Sequence, residues 1–297
     1  MRKAGRFLRD EWARRGMFLL TAVPSALVFL ILFGLVEKSR GVFAVKSIAG
    51  VLFGTSWHPL RGEFGLLPFL LGTLWVTLTA MLIAGPVSLL TAVYLSEYAP
   101  RKVRETAKPV VDLLAGIPSV VYGVWGVLMV VPLVRAAAPF FGATSSGYSV
   151  LAGAIVLAIM VFPTIIHVAL EVFAAVPQAL RDASLALGAT KWETVKHVVL
   201  RKGRPGIIAA VVLGLSRAFG ETMAVLMVVG NVARIPRSLF DSAYPLPALI
   251  ANNYGEMMSI PLYDSALMLA ALVLFAIVFV FNIGARAVLV RAERKAE

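Results

Sequence analysis

Few side chains in this 297-residue chain have the type and spacing to do chemistry, and the densest group is Arg217-Ala218-Phe219-Gly220-Glu221-Thr222. It lies in an otherwise apolar run near residues 206 to 231, long enough to cross a hydrocarbon layer of roughly 30 Å. An arginine at the centre of such a span costs about 2.5–3.5 kcal/mol on insertion scales, so it needs a partner or water. Glu221 follows one helical turn later on the same face, and the spacing predicts that the two charges neutralise each other. A guanidinium presents a planar fork to an oxyanion, while a carboxylate beside it can tether it or repel a ligand as helices move. The same spacing also suits a static ion pair that holds a bundle together or meets a neighbouring subunit.

Other candidates carry less. His167 and Glu171 stand one turn apart near the end of another apolar run and read as a solvated interfacial pair. His58 and His197 fall in loops without metal-ligand spacing, so no metal site is expected. There is no cysteine, which excludes a disulfide framework, a thiol nucleophile and Cys-ligated metal. No H-E-x-x-H or G-x-S-x-G occurs, Ser216 has no basic partner identifiable from sequence, and no catalytic residue is expected. Without G-x-x-x-x-G-K-[ST] the chain does not hold nucleotide by that route, and no cofactor is expected on it.

A second informative group sits in a basic segment, residues 174 to 205. It reads Val176-Pro177-Gln178-Ala179-Leu180-Arg181-Asp182-Ala183-Ser184-Leu185-Ala186-Leu187-Gly188-Ala189-Thr190-Lys191-Trp192-Glu193 and continues to Leu200. The pattern predicts a short helix over 182 to 187 beginning near Asp182, a tight turn at Gly188, and an amphipathic helix over 192 to 200. Such a helix-turn-helix is a docking surface, although an inner loop can also hold two basic helices without that role.

These groups must be positioned by elements suited to a bilayer. Hydrophobic residues make up 60% of the chain and charged residues 15%, against roughly 25% charged in a soluble domain. Uncharged runs predict an all-α polytopic membrane protein with six spans, near 17 to 36, 66 to 95, 113 to 134, 148 to 172, 206 to 231 and 265 to 285. Gly85-Pro86 should kink or tilt the overlong second span rather than end it. Pro139, Gly142 and Ser145-Ser146-Gly147 separate the third from the fourth. Gly116-Ile117-Pro118-Ser119 must loosen or begin the third span, because proline cannot donate to the helix ladder. Residues 41 to 57 suggest a short interfacial helix with Trp57 at headgroup depth, and the patch Leu246 to Ile250 suggests a re-entrant or surface-lying piece between prolines that include Pro261.

Residues 1 to 16 form a basic N-terminal segment, expected to be cytoplasmic and retained, because the apolar run after it is about 20 residues long without a small-x-small cleavage pattern. Residues 17 to 290 form the membrane domain. The formal net charge is +12. With the N-terminus inside, 20 of the 28 basic residues fall on inner segments and 7 in outer loops, as the positive-inside rule requires. Both termini are therefore expected in the cytoplasm of a cell (inner) membrane, and the charge excess needs no nucleic-acid partner.

The segment around Gly188 resembles the EAA loop of ABC importer permeases, whose pattern is Glu-Ala-Ala, three residues, Gly, nine residues, Ile, one residue, Leu-Pro. Ala183, Gly188 and Leu200 match, Asp182, Ser184 and Val198 are conservative replacements, and Arg201 stands where that family usually has proline. Further pieces are similar to phosphate importer permeases of the PstC family: Phe64-Gly65-Leu66-Leu67-Pro68 with Gly72-Thr73-Leu74, Tyr94-Leu95-Ser96-Glu97-Tyr98-Ala99-Pro100, Leu114-Ala115-Gly116-Ile117-Pro118-Ser119-Val120-Val121-Tyr122-Gly123, and Arg217 to Ala224. The likeness spans about residues 50 to 255. It implies a non-catalytic permease subunit that works with a homologous PstA-like permease, a PstB-like ATP-binding subunit that uses the ATP, and a PstS-like extracytoplasmic phosphate-binding protein. It further implies that the loop, through Asp182, Ala183, Ser184, Gly188 and Leu200, receives the ATPase's motion and that Arg217 and Glu221 line the phosphate path. The alternatives are a sister permease of the PstA type, a permease for another oxyanion, or an ion-coupled carrier. The carrier reading expects an internal repeat, and no convincing repeat relates the halves.

Overall fold

In hydrocarbon every backbone N–H and C=O must be bonded within its own segment, so the apolar runs fold as helices. A computed structural model describes residues 2–43, 46–255 and 262–294. Helix α1 (Arg2–Phe43) starts before the expected residue 17 and runs past 36. Nothing interrupts it: Glu11 pairs along the helix with Arg14 at 2.8 Å and Arg15 at 3.2 Å, and Glu37 with Arg40 at 3.1 Å. The interfacial helix expected over 41 to 57 reduces to α2 (Ile48–Leu52), and a hairpin of β1 (Trp57–His58) and β2 (Glu63–Phe64) follows it. Trp57 packs edge-on against Phe64 and Phe69, with ring centroids 5.7 and 5.1 Å away, inside an aromatic cluster.

Helix α3 (Leu67–Val93) passes through Pro86 and continues as a π-turn to Tyr98. Where a loop was expected, α4 (Arg101–Gly116) forms, and the chain opens at Ile117-Pro118. The third crossing therefore begins at Ser119, as α5 (Ser119–Trp125), a π-turn and α6 (Val131–Ala137), because Pro118 supplies no N–H and fits at a helix start. Helix α7 (Val150–Ala174) is capped by Ser149, whose Oγ accepts the Ala152 N–H at 3.2 Å.

Helices α8 (Gln178–Ala186) and α9 (Lys191–Thr194) form an elbow, and a π-turn over Val195–Val199 carries α9 straight into α10 (Leu200–Gly220). The short α11 (Met223–Val228) and α12 (Leu246–Asn253) precede α13 (Tyr263–Arg294). The Leu246 to Ile250 piece is a helix that buries Leu246, Pro247, Ala248 and Leu249; Pro261 lies outside the described residues.

Among the described residues, five helical stretches are long and apolar enough to cross a membrane: Glu11–Phe43, Leu67–Tyr98, Ser119–Phe141, Val150–Ala174 and Tyr263–Val288. The sixth expected span, 206 to 231, is not one continuous helix. It comprises most of α10, an extended Glu221 at φ −71°, ψ 128°, and α11.

Helices α3, α7 and α10 make the central packing, α11 closes against α5 and α7, and α1 packs on α13. The centre is built from small residues: Ala80, Ala84, Ala154, Ala158 and Ala210 are all 0% exposed. This is expected where helices gain from close approach rather than from expelling water. Lys38 on α1 lies 3.9 Å from Asp264 on α13, so the end of α1 meets the start of α13.

Gly214 marks one close approach of α10 to α7, since a Cβ there would sit 2.6 Å from Ile165 Cγ1 and 3.0 Å from Val161 Cγ1. Gly214→Val should cost about 1–3 kcal/mol through overpacking. A thermal melt in detergent should show a lowered midpoint, whereas Gly34→Ala, with open space around it inside helix α1, should not lower it.

Candidate functional site

The elbow is shaped by local sequence. Pro177 is extended at ψ 135° and starts α8 four residues before the expected Asp182, because a proline fits at a helix entrance without a backbone donor. Gly188 adopts φ +87°, a left-handed conformation that closes α8 by donating its N–H to Leu185 O at 2.9 Å. Thr190 and Glu193 then form a reciprocal capping box: Thr190 N–H donates to Glu193 Oε2 at 2.7 Å and Glu193 N–H to Thr190 Oγ1 at 3.3 Å. The Thr190 backbone bond, followed by its hydroxyl, holds the Glu193 carboxyl below the ordinary carboxylate range. Ser184 Oγ and Thr194 Oγ1 meet at 2.9 Å and tie the two arms together.

This geometry leaves an apolar tip in the open. Leu187 is 89% exposed, Trp192 53% and Leu185 47%, and such a cluster of exposed apolar side chains at a turn marks a surface suited to another protein. Asp182, Ala183 and Gly188 share the exposed side, with Asp182 Oδ1 accepting from Gln178 Nε2 at 3.0 Å. Leu200 does not join them: it lies farther along the helix and packs against the central core.

Arg181, which the motif reading did not single out, anchors the elbow. Its Nη2 reaches Glu97 Oε1 at 2.9 Å, and the two side chains are only 11% and 10% exposed. The guanidinium also donates to Phe173 O at 2.8 Å and to Val176 O. Glu97 sits in the π-turn that ends α3, so the pair fixes the elbow to the base of the central helices. Both residues occur in the quoted motif strings, but 84 positions separate them, and no local pattern joins them.

The second expected constellation is rearranged. Arg217 and Glu221 do not form an ion pair within 4 Å among the described residues. Helix α10 ends at Gly220, so the helical spacing that would stack the two side chains stops one residue short of Glu221. Arg217 Nη1 instead donates to Thr164 Oγ1 on α7 at 2.7 Å, and the guanidinium is otherwise exposed. Glu221 Oε1 accepts the Ala224 N–H at 3.2 Å and caps α11. Glu221 also borders a small recess with Thr73, Thr77 and Phe219, closed by Pro245 and Pro247. Tyr122 on α5 lies within electrostatic reach of Arg217 and donates its hydroxyl to Leu114 O at 2.8 Å. Around this group Leu213, Val121, Val124 and Met223 present an exposed apolar face. His167, read as a partner of Glu171, contacts Asp112 on α4 at 3.1 Å instead.

An exposed elbow beside a bundle of crossings and a broken helix can dock a second protein at one end and handle an anion near the middle. Residues 84–295 match the family described as binding-protein-dependent transport system inner membrane component. The chain belongs to that family. It is 39% identical to the phosphate transport system permease protein PstC of Xylella fastidiosa, over 98% of this chain and 95% of the relative. To a probable ABC transporter permease protein, YqgH, of Bacillus subtilis it is 37% identical over 90% of this chain and 87% of that one. The fold is similar to that of a chain of the MetNI methionine ABC transporter in an inward-facing form, with TM-score 0.60 and 20% identity over 80% of this chain and 99% of that one. A chain from a bacterial alginate importer aligns with TM-score 0.54 and 18% identity, covering 91% and 96%.

Two outcomes follow from the elbow. Arg181→Met should destabilise it by about 3–5 kcal/mol, because Glu97 is left buried without its partner. Hydrogen exchange should rise across α8, and Arg181→Met combined with Glu97→Gln should recover most of the protection. Because the folded Glu193 carboxyl is depressed, its contribution is complete above the unfolded carboxylate value and is lost as pH falls through the folded one. Trp192 fluorescence should therefore hold steady from neutral pH to about 4.3 and change below it, and Glu193→Gln should remove that acid step.

Proposed function

We propose that this chain is the permease subunit of an ATP-driven importer of inorganic phosphate, forming half of the translocation path and performing no catalysis itself. The observation that carries the reading is an arginine exposed on an apolar face beside a mid-bundle helix break, in a chain of this permease family. A guanidinium facing lipid at that depth is costly, so the face is suited to a homologous permease and the seam between them to a wet path. The PstC relative supports phosphate as cargo, since its likeness runs through almost the whole chain.

In this reading the elbow end is cytoplasmic, with both termini on that side, and the apolar tip at Leu187 and Trp192 seats in a separate PstB-like ATPase subunit that uses the ATP. A PstA-like permease completes the path, and a PstS-like protein delivers phosphate from outside the membrane. Asp182, Ala183, Ser184 and Gly188 shape the seat, and Leu200 transmits from it into the core. Arg217 offers phosphate a charge-assisted fork in exchange for its neutral Thr164 contact. Glu221 borders the path, and moving α11 uncovers or covers its carboxylate, which repels the anion. Phosphate binds one state better than the other only through such differences.

The test is uptake of radiolabelled phosphate into vesicles that contain the assembled transporter. Arg217→Gln should lower uptake about 10- to 100-fold, the equivalent of a charged hydrogen bond worth about 1.5–3 kcal/mol. Arg217→Lys should lose less. Undiminished uptake by Arg217→Gln would remove Arg217 from the path, competition by sulfate as strong as by phosphate would replace the cargo, and uptake on an ion gradient without any ATPase would replace the class.

A further inference from the structure

Beside the elbow, a crevice of about 670 Å³ opens between the start of α10 and the end of α13. Arg201 and Arg204 enter it from α10 and Arg291 from α13, Lys202 also lines it, and none of its lining residues is acidic. Among the described residues no carboxylate pairs with Arg201, Arg204 or Arg291, although other basic groups on this end are matched: Arg181 with Glu97, Arg101 with Glu105. The general excess of positive charge on inner segments does not require three guanidinium groups from two helices to converge on one cavity whose lining residues include no acid.

The depth is equally informative. From α13 the crevice is lined by the apolar Val288 and then by Arg291, while Arg286, two residues before Val288, is not part of its lining. Arg291 lies three residues on, about 4.5 Å farther along the axis at 1.5 Å per residue. On α10, running the opposite way, Arg204 precedes Ile208, which also lines the crevice. On both helices the crevice lining thus passes from an apolar side chain to a guanidinium within one turn, the order in which a phospholipid presents its glycerol end and its phosphate.

We propose that this crevice binds the phosphate-bearing headgroup of an anionic phospholipid of the inner leaflet. Guanidinium forks suit a phosphodiester, and Val288 and Ile208 receive the upper acyl chain. The lipid would fasten the last crossing to the root of the elbow helix. This inference does not depend on which anion the permease carries.

The full chain, with whatever subunits copurify, is placed in nanodiscs of mixed phosphatidylglycerol and phosphatidylcholine, and retained lipid is counted by native mass spectrometry as detergent strips the rest. The parent should retain phosphatidylglycerol over phosphatidylcholine by more than about tenfold, given roughly fivefold per basic side chain at a lipid surface. The triple substitution R201Q/R204Q/R291Q should abolish that preference, and R101Q/K102Q/K108Q, which removes the same charge elsewhere on this end, should keep it. Should the first triple variant fail to fold, the single Arg291→Gln variant should reduce the preference by about fivefold. A preference that survives these substitutions, or that falls equally in the control, overturns the proposal. Inorganic phosphate is also titrated into the parent in pure phosphatidylcholine discs. Saturable binding there that R201Q/R204Q/R291Q removes, without any phosphatidylglycerol preference in mixed discs, would assign the crevice to free phosphate and likewise overturn the lipid.

Discussion

A helix that stops inside a bilayer releases carbonyls at its end and amide donors at the start of whatever follows, and hydrocarbon offers nothing to satisfy them. The break after Gly220 poses that problem, and much of the surrounding structure answers it. Glu221 takes the Ala224 N–H of the next helix, and its own N–H goes to Ala218 O at 3.3 Å. Pro245 and Pro247 close the recess beside it without adding N–H groups of their own. A break so arranged is tolerated only where protein or water surrounds it, which is the condition for a passage.

The same helix that ends at this break begins at the elbow. From Lys191 through the π-turn to Gly220 the chain is continuously helical, a rod of about 45 Å at 1.5 Å per residue. Trp192 and Arg217 therefore lie on one continuous helix with no loop between them, whereas Leu187 stands across the Gly188 turn. The departure at Arg201, where related loops place proline, is consistent with this: the helix runs on through Arg201 and accommodates Pro205 within α10. Glu97 and Arg181 tie the elbow to the end of α3 through a buried charged contact that holds one geometry.

Close packing gives the rod something rigid to move against. Alanines at 0% exposure along α3, α7 and α10 bring the backbones together, and Gly214 lets α10 lie against Ile165. In contrast, α1 is almost bare and touches mainly α13.

Sequence by itself determined the solvent, the class of fold and the approximate place of most crossings, because the length of an apolar run is set by bilayer thickness. It also located the turn at Gly188, since only the residue type decides whether φ +87° is comfortable there. It did not determine that Arg217 and Glu221 part company. The four-residue rule presumes a helix that continues, and Gly220, the local sign that it does not, looks the same whether a helix ends or only packs closely there. Nor could it join Arg181 to Glu97, His167 to Asp112, or Arg291 to Arg201. Each pairing unites distant segments, and only packed helices decide which side chains meet.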